Sequence, residues 1–408
     1  MCYPFTETKA QMQLEKYSIG MGDRFGREGA AQMQAILAAK HHGIDITPVW
    51  NKSNREHSIV GTTPGDVRLE ADNAVQASGW TGSYRVDADH IGMATVDKFI
   101  AASDFFTLDV ADFIGRSVSD AELDAFRQSL SAFIGALTIP GIAAPFSVTD
   151  DLIRAIGTQY CAAIQEAGKI YRHILGAKGE GAFIVEVSLD ETDKPQSPLE
   201  LFFIMGALAS EGIPMQTIAP KFVGEFHKGV DYIGDPDVFA REFEAHVLVV
   251  AHAIRTFRLP ANLKLSVHSG SDKFSLYPAM RVILAKHDAG IHVKTAGTTW
   301  LEEVIGLAAA GGEGLKAAKE IYAASFKRYD ELCGPYLSVI DIDRAKLPLP
   351  ATVEGWSGME YVRALQHDQS CRDFSVHFRQ LVHVGYKVAA EMGARFQGLL
   401  GECRTTIE

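Results

Sequence analysis

Cysteine is scarce in this chain: Cys2, Cys161, Cys333, Cys371 and Cys403 are the whole complement of 5, scattered and without a C-x-x-C pair. An odd, dispersed set disfavours a disulfide framework and a structural zinc site, and it points to the reducing cytoplasm. Long apolar runs are missing too, and Met1-Cys2-Tyr3-Pro4-Phe5 lacks the basic-then-apolar order of an export signal, so neither an anchor nor an address is expected. Positive charge is in deficit, with 39 Lys and Arg against 51 Asp and Glu, a net charge of -12. Such a surface repels nucleic acid and anionic membrane and leaves a small molecule as the expected partner, with a homo-oligomer open. Internal repeats, low-complexity tracts and long Gly/Ser or Pro linkers are absent. So is a dinucleotide fingerprint: in Gly20-Met21-Gly22-Asp23-Arg24-Phe25-Gly26, three residues separate the second and third glycines where the motif needs two.

What is present is alternation. Short runs rich in Val, Ile, Phe and Thr at 17–21, 46–50, 83–88, 105–110, 182–187, 215–219, 263–267 and 291–295 are separated by segments of helical period. Ser197-Pro198-Leu199-Glu200 and Ser119-Asp120-Ala121-Glu122 are capping boxes, and Asp235-Pro236 opens a further helix. Eight strands exceed the usual open sheet, so the expected fold class is α/β: a (β/α)8 TIM-type barrel over 1–310, with a helical C-terminal extension over 311–408 packed on it.

In such a barrel the residues after each strand converge on one rim. Strand order supplies Asp23 and Arg24, then Asp87, Asp89 and His90, Asp109 and Asp112, Glu186 and Asp190, Lys221 and His227, then His268, Asp272 and Lys273, and finally Lys294. His90, His268 and Glu186 are the donor types that zinc, manganese, cobalt or nickel prefers. Asp89 is the acid/base candidate, with a helix N-cap near Gly92 as its structural alternative. Lys221, Lys273 and Lys294 either ion-pair on the rim or meet a substrate carboxylate, and a lysine imine would need apolar burial. Ser269 and Ser271 flank a glycine and are candidate donors to substrate oxygens. In the extension, Arg379 or His377 could cap the mouth, while His383 reads as part of a solvated basic face. His41, His42, His57, His173, His246, His252 and His287 read as structural or surface residues.

The chain resembles the tagaturonate epimerase family through Ser83-Tyr84-Arg85-Val86-Asp87-Ala88-Asp89-His90, Glu186-Val187-Ser188, Ile218-Ala219-Pro220-Lys221-Phe222, Lys228-Gly229-Val230-Asp231-Tyr232, and the blocks 267–278, 292–300 and 381–390. The resemblance implies a metal-dependent isomerase that interconverts D-tagaturonate and D-fructuronate in hexuronate metabolism; some relatives act on the neutral pair tagatose and fructose. His227 stands where the family pattern carries asparagine, so its place among the metal ligands is doubtful. A looser similarity links Asp89-His90, His227-Lys228-Gly229 and His268-Ser269-Gly270-Ser271-Asp272 to class II aldolases, which makes a metal-dependent aldolase the alternative function; a non-catalytic sugar-acid sensor is a third. The inverted carbon is β to the ketone, so retro-aldol cleavage and re-addition is the expected route, with Asp89 serving one face and Glu186 or Asp272 the other. A rival route through tightly held NAD is disfavoured by the missing fingerprint. Lys273 is the leading carboxylate anchor, with Lys294 and Arg379 beside it, and the extension is the expected lid.

Overall fold

A computed structural model describes residues 12–190, 192, 194–295 and 297–408. Cys2 and Ala296 lie outside the described residues. Parallel pairing runs around a closed ring of β1 (Tyr17–Met21), β2 (Thr47–Ser53), β3 (Arg85–Ile91), β4 (Phe105–Asp109), β5 (Ile184–Ser188), β6 (Thr217–Ala219), β7 (Lys264–His268) and β8 (Ile291–Lys294). Each strand overlaps an expected run, but β2 and β3 continue three residues past the expected ends at 50 and 88. The ring closes by β8 against β1, with Ile291 opposite Tyr17 and Lys294 opposite Gly20.

Alternation along the strands decides what fills the barrel. Leu14, Val49, Phe105 and Ile184 form a small apolar plug. Two residues further along their strands, Thr107 and Glu186 join Asp87 and Lys294 in a buried polar layer. Gly20 makes room for that layer: a Cβ there would lie 2.8 Å from Lys294 Cγ. Outside the ring, the predicted caps are in place at Ser119, Ser197 and Asp235.

The helical jacket is uneven. Between β3 and β4 the helix is a single 3-10 turn, Val96–Lys98, whereas the β4 to β5 connection holds a helix Asp120–Leu130, a small hairpin and a 29-residue helix Asp150–Lys178. The long helix leans over the short crossover, with His173 Nε2 2.6 Å from Asp97 Oδ1 and Lys178 Nζ donating to the Ile100 carbonyl at 2.8 Å.

After β8, helices from Thr298–Ala310 to Arg404–Ile407 gather Trp300, Tyr322, Tyr361, Phe378 and Tyr386 into a second apolar cluster that also takes in Phe25 from the loop after β1. That cluster crosses residue 310 without a break. Among the described residues no helix is long and apolar enough to cross a membrane.

One irregularity shapes the mouth. Strand β3 pairs Asp87 with Phe105 and Ala88 with Phe106, then slips register before Ile91 meets Leu108, and His90 takes φ 49. A regular strand would send Asp89 and His90 to opposite faces. The bulge, with its left-handed residue, turns both toward the cavity. Asp89 therefore sits inside a strand, and the cap beyond it is Thr95, which removes the N-cap alternative.

Candidate active site

Lys294 is the hub of the buried layer. Its Nζ lies 2.8 Å from Asp87 Oδ2, 2.8 Å from Asp89 Oδ1 and 3.0 Å from Glu186 Oε1, and it donates to Thr107 Oγ1 at 2.5 Å. Burial works against its charge, yet three carboxylates outweigh burial and hold the ammonium well above the ordinary lysine range. An amine held this firmly as a cation has no lone pair for an imine. Nor is it spare for a substrate carboxylate.

The same charge sorts its partners. Burial would raise Asp89, but Lys294 and His90 bring it down to about 2, whereas burial and the neighbouring Asp89 and Glu186 carry Asp87 up to about 7 against the pull of Lys294. Glu186 is wholly buried yet falls well below the usual carboxylate range, through Lys294 and His268. Only Asp89 of these three acids lines the cavity.

Above this layer, His90, Asp190 and His268 each offer a ligand atom, and these atoms lie within 4.8 Å of one another. Asp109 Oδ2 is 3.2 Å from His90 Nδ1, which orients the ring and leaves Nε2 toward the cavity side, 4.0 Å from Asp89 Oδ1. His268 Nε2 is 2.8 Å from Glu186 Oε1, and its Nδ1 is 3.3 Å from Asp190 Oδ1. Glu186 Oε2 is buried with no partner among the described residues. Burial lowers both imidazoles, yet Asp190 and Glu186 lift His268 to about 9, and Asp89 with Asp109 lifts His90 well above its usual value. The corner therefore demands positive charge, and its N,O,N donor set suits a divalent transition metal.

The sequence-derived candidates separate clearly. His90, His268, Asp89, Lys294, Ser269, Lys221 and His227 all border one cavity of about 380 Å³. His227 stays outside the three-ligand cluster, its Nε2 lying 3.6 Å from Glu225 Oε2. Lys221 Nζ donates to the Thr192 carbonyl at 2.5 Å. Ser269 spends its hydroxyl on the Ser271 and Lys294 carbonyls, and Ser271 donates to Val230.

Lys273 corrects the expectation of a carboxylate anchor: it is 1% exposed, and its Nζ is surrounded by the His227, Val230, Ser269 and Ser271 carbonyls and Ser271 Oγ. Arg379 is likewise committed, donating to the Gly229 and Leu365 carbonyls. Asp272 accepts from Tyr277 Oη at 2.8 Å and does not reach the cavity. His377 accepts from the Asp343 amide rather than capping the mouth. His383, expected on a solvated face, is 1% exposed.

Asp190, weighed in the sequence only as one of the rim acids, stands in this cluster where Glu186 was expected. It follows Glu186 and Ser188 at alternate positions, a spacing that keeps all three on the barrel's inner side. Tyr336, Ser338 and Val339, far along in the C-terminal region, also border the cavity, so the helices after the barrel do lie at its mouth.

Residues 2–396 match the family model described as tagaturonate epimerase. The chain is 31% identical over 383 residues to the tagaturonate/fructuronate epimerase of Thermotoga maritima, covering 90% of this chain and 72% of that protein. Among solved structures, a glycerol-complexed fructuronate-tagaturonate epimerase from Cohnella laeviribosi superposes with a TM-score of 0.80 at 25% identity, covering 98% of this chain and 79% of that one. The native form of the same enzyme gives a TM-score of 0.78 at 26% identity over 98% and 79% of the two chains.

Proposed function

The chain belongs to the tagaturonate epimerase family, an isomerase class of enzyme, and on that premise we propose that it interconverts D-tagaturonate and D-fructuronate by breaking and remaking one carbon–carbon bond at a divalent-metal centre. The observation that carries this reading is the meeting of Asp89 with His90, Asp190 and His268 at one wall of the cavity.

Carbon 4 of the ketose lies β to the ketone, so the carbonyl does not acidify its hydrogen and direct proton exchange there faces a prohibitive barrier. Asp89, ionised, instead accepts the proton of the carbon-4 hydroxyl. The bond between carbons 3 and 4 breaks, its electron pair passes toward the ketone as an enediolate, and carbon 4 becomes an aldehyde. After the aldehyde turns, carbon 3 adds to its other face and the proton returns to the new alkoxide. His90, Asp190 and His268 would hold a zinc, manganese, cobalt or nickel ion, which would supply Lewis acidity to the ketone. Lys294 fixes the Asp89 carboxylate, while Tyr336 and Val339 narrow the cavity and retain the fragments.

The test is incubation of metal-loaded enzyme with D-fructuronate in deuterated water, followed by NMR. Tagaturonate with protium retained at carbon 4 supports the route. Deuterium at that carbon refutes it, and accumulation of two three-carbon products assigns the chain to the aldolases instead. Turnover that survives exhaustive chelation and shows no dependence on added metal overturns the metal assignment.

A further inference from the structure

Besides the acidic corner, the cavity is bordered by two cations, Arg24 and Lys228. Arg24 is 4% exposed, lies 3.8 Å over the Tyr386 ring and meets Glu56 Oε1 at 3.1 Å through Nη1. Its Nε and Nη1 have no hydrogen-bond partner among the described residues. Lys228 borders the same cavity, and within 4.0 Å of its ammonium no carboxylate is found among the described residues. Its stem rests against Gly270, where a Cβ would meet Lys228 Cγ at 3.1 Å.

His383 arrives behind these two from the helix Val376–Val384. It is buried, and neither ring nitrogen has a hydrogen-bond partner among the described residues. Burial, reinforced by Arg24 and Lys228, holds its imidazole well below the usual histidine range. His383 and Arg24 converge on Gly297, the N-cap of the 13-residue helix Thr298–Ala310, while Lys228 lies against Gly270. A Cβ on Gly297 would stand 2.5 Å from His383 Nε2 and 2.9 Å from Arg24 Nη2, and the residue has φ +96, so close approach and backbone both call for glycine. Thr298 Oγ1, the first side-chain oxygen of that helix, is also buried without a partner among the described residues.

The guanidinium has one carboxylate partner, Glu56, and the ammonium has none among the described residues, so the pair retains capacity for a further anion. We infer that Arg24 and Lys228, the two of these groups that border the cavity, bind the carboxylate of the sugar acid, with His383 and the N-terminus of the helix Thr298–Ala310 packed behind Arg24. This assignment rests on the proposed reaction and adds to it. Cleavage between carbons 3 and 4 leaves the carboxylate on the aldehyde fragment, the piece that must turn without escaping. An ionic anchor at carbon 6 makes that end the pivot. His383, which backs Arg24, comes from the C-terminal helices, so the extension holds a barrel side chain of the anion site in place.

The test uses Lys228→Gln, a partly exposed position, together with Arg24→Lys. Both are assayed for kcat and KM on fructuronate and on fructose, and by calorimetry for binding of the unreactive aldonate D-gluconate, the alditol D-glucitol and inorganic phosphate. Loss of one charge-assisted contact lowers the fructuronate-to-fructose ratio of kcat/KM by roughly 10- to 100-fold, chiefly through KM, and weakens gluconate binding to match. Equal losses on both sugars, or none, overturn the assignment. So does phosphate binding without gluconate binding, which marks an inorganic-anion site. If the wild type turns over no uronate yet binds gluconate in a Lys228-dependent way, the anion corner stands and the epimerase reading falls. Raised escape of the two fragments in Lys228→Gln is the further signature of a lost pivot.

Discussion

Replacing Lys294 with methionine removes one ammonium and leaves Asp87, Asp89 and Glu186 facing one another inside the barrel. At 2.8 Å and an effective dielectric of about 20, Coulomb's law gives about 6 kcal/mol for each of the closest contacts. Desolvation of buried ions offsets much of that, and removing one partner of a buried pair costs about 3–5 kcal/mol. Proton uptake relieves part of the loss, because Asp87 already sits near a pKa of about 7 with the lysine present and rises further without it. The expected loss for Lys294→Met is therefore about 4 kcal/mol at pH 8, a large share of the 5–15 kcal/mol typical of a folded domain. Urea unfolding reads it as a lowered midpoint at unchanged slope. The double variant Lys294→Met with Asp87→Asn recovers at least about 1 kcal/mol, since one uncompensated charge is gone. A loss for Lys294→Met below about 1 kcal/mol, or no recovery in the double variant, would refute the hub.

Asp89→Asn keeps the shape of the base while removing its capacity to accept a proton, so kcat falls by about 10²–10⁴ with metal content unchanged by elemental analysis. Asp190→Ala lowers bound metal as well as turnover, and retention of a full metal complement would exclude Asp190 from the ligand set. A second test concerns Glu28 and Glu303, two acids outside the cavity. Burial, then Asp23, raises Glu28 to about 7, and burial also raises Glu303, whose two carboxylate oxygens are unpartnered among the described residues, well above the usual carboxylate range. Such groups keep their protons in the folded chain while the unfolded chain releases them near 4.5. Their stabilising contribution is complete below pH of about 4.5 and fades as pH rises through about 7 and beyond. Glu303→Gln accordingly raises the urea midpoint at pH 8 and leaves it nearly unchanged at pH 4.5, and the reverse pattern would contradict the sign. Gly20→Ala drives a methyl against the pinned Lys294 stem at 2.8 Å, with an expected loss of about 1–3 kcal/mol in the same unfolding assay.

The barrel was legible because parallel strands covered on both faces must be apolar, and runs such as 105–110 and 182–187 are too short for a buried helix and too apolar for a loop. His90 and His268 were legible because imidazoles at strand ends beside acids have little structural purpose. The bulge that brings Asp89 and His90 to one side was not, since a register slip depends on how β3 meets β4 and leaves no mark in residue type. Lys273 misled for a related reason: charge is visible in a sequence, but whether main-chain carbonyls already surround an ammonium is settled only by the fold. His383 misled in the opposite direction. Its neighbours on the helix read as polar, while its partners Arg24 and Gly297 come from two distant strand ends.

The closing seam between the first and last strands also carries a consequence for synthesis. Ser18 Oγ and His292 Nδ1 meet at 2.9 Å in the buried interior although 274 positions separate them. Until the ribosome has delivered the eighth strand, the first has only one neighbour and its other edge stays open to any passing β-segment. Tyr336, His383 and Tyr386 emerge later still, after all eight barrel strands. A chain that stops near residue 300 therefore carries the candidate ligands His90, Asp190 and His268 but lacks Tyr336, which borders the cavity, and His383 and Tyr386, which pack against Arg24.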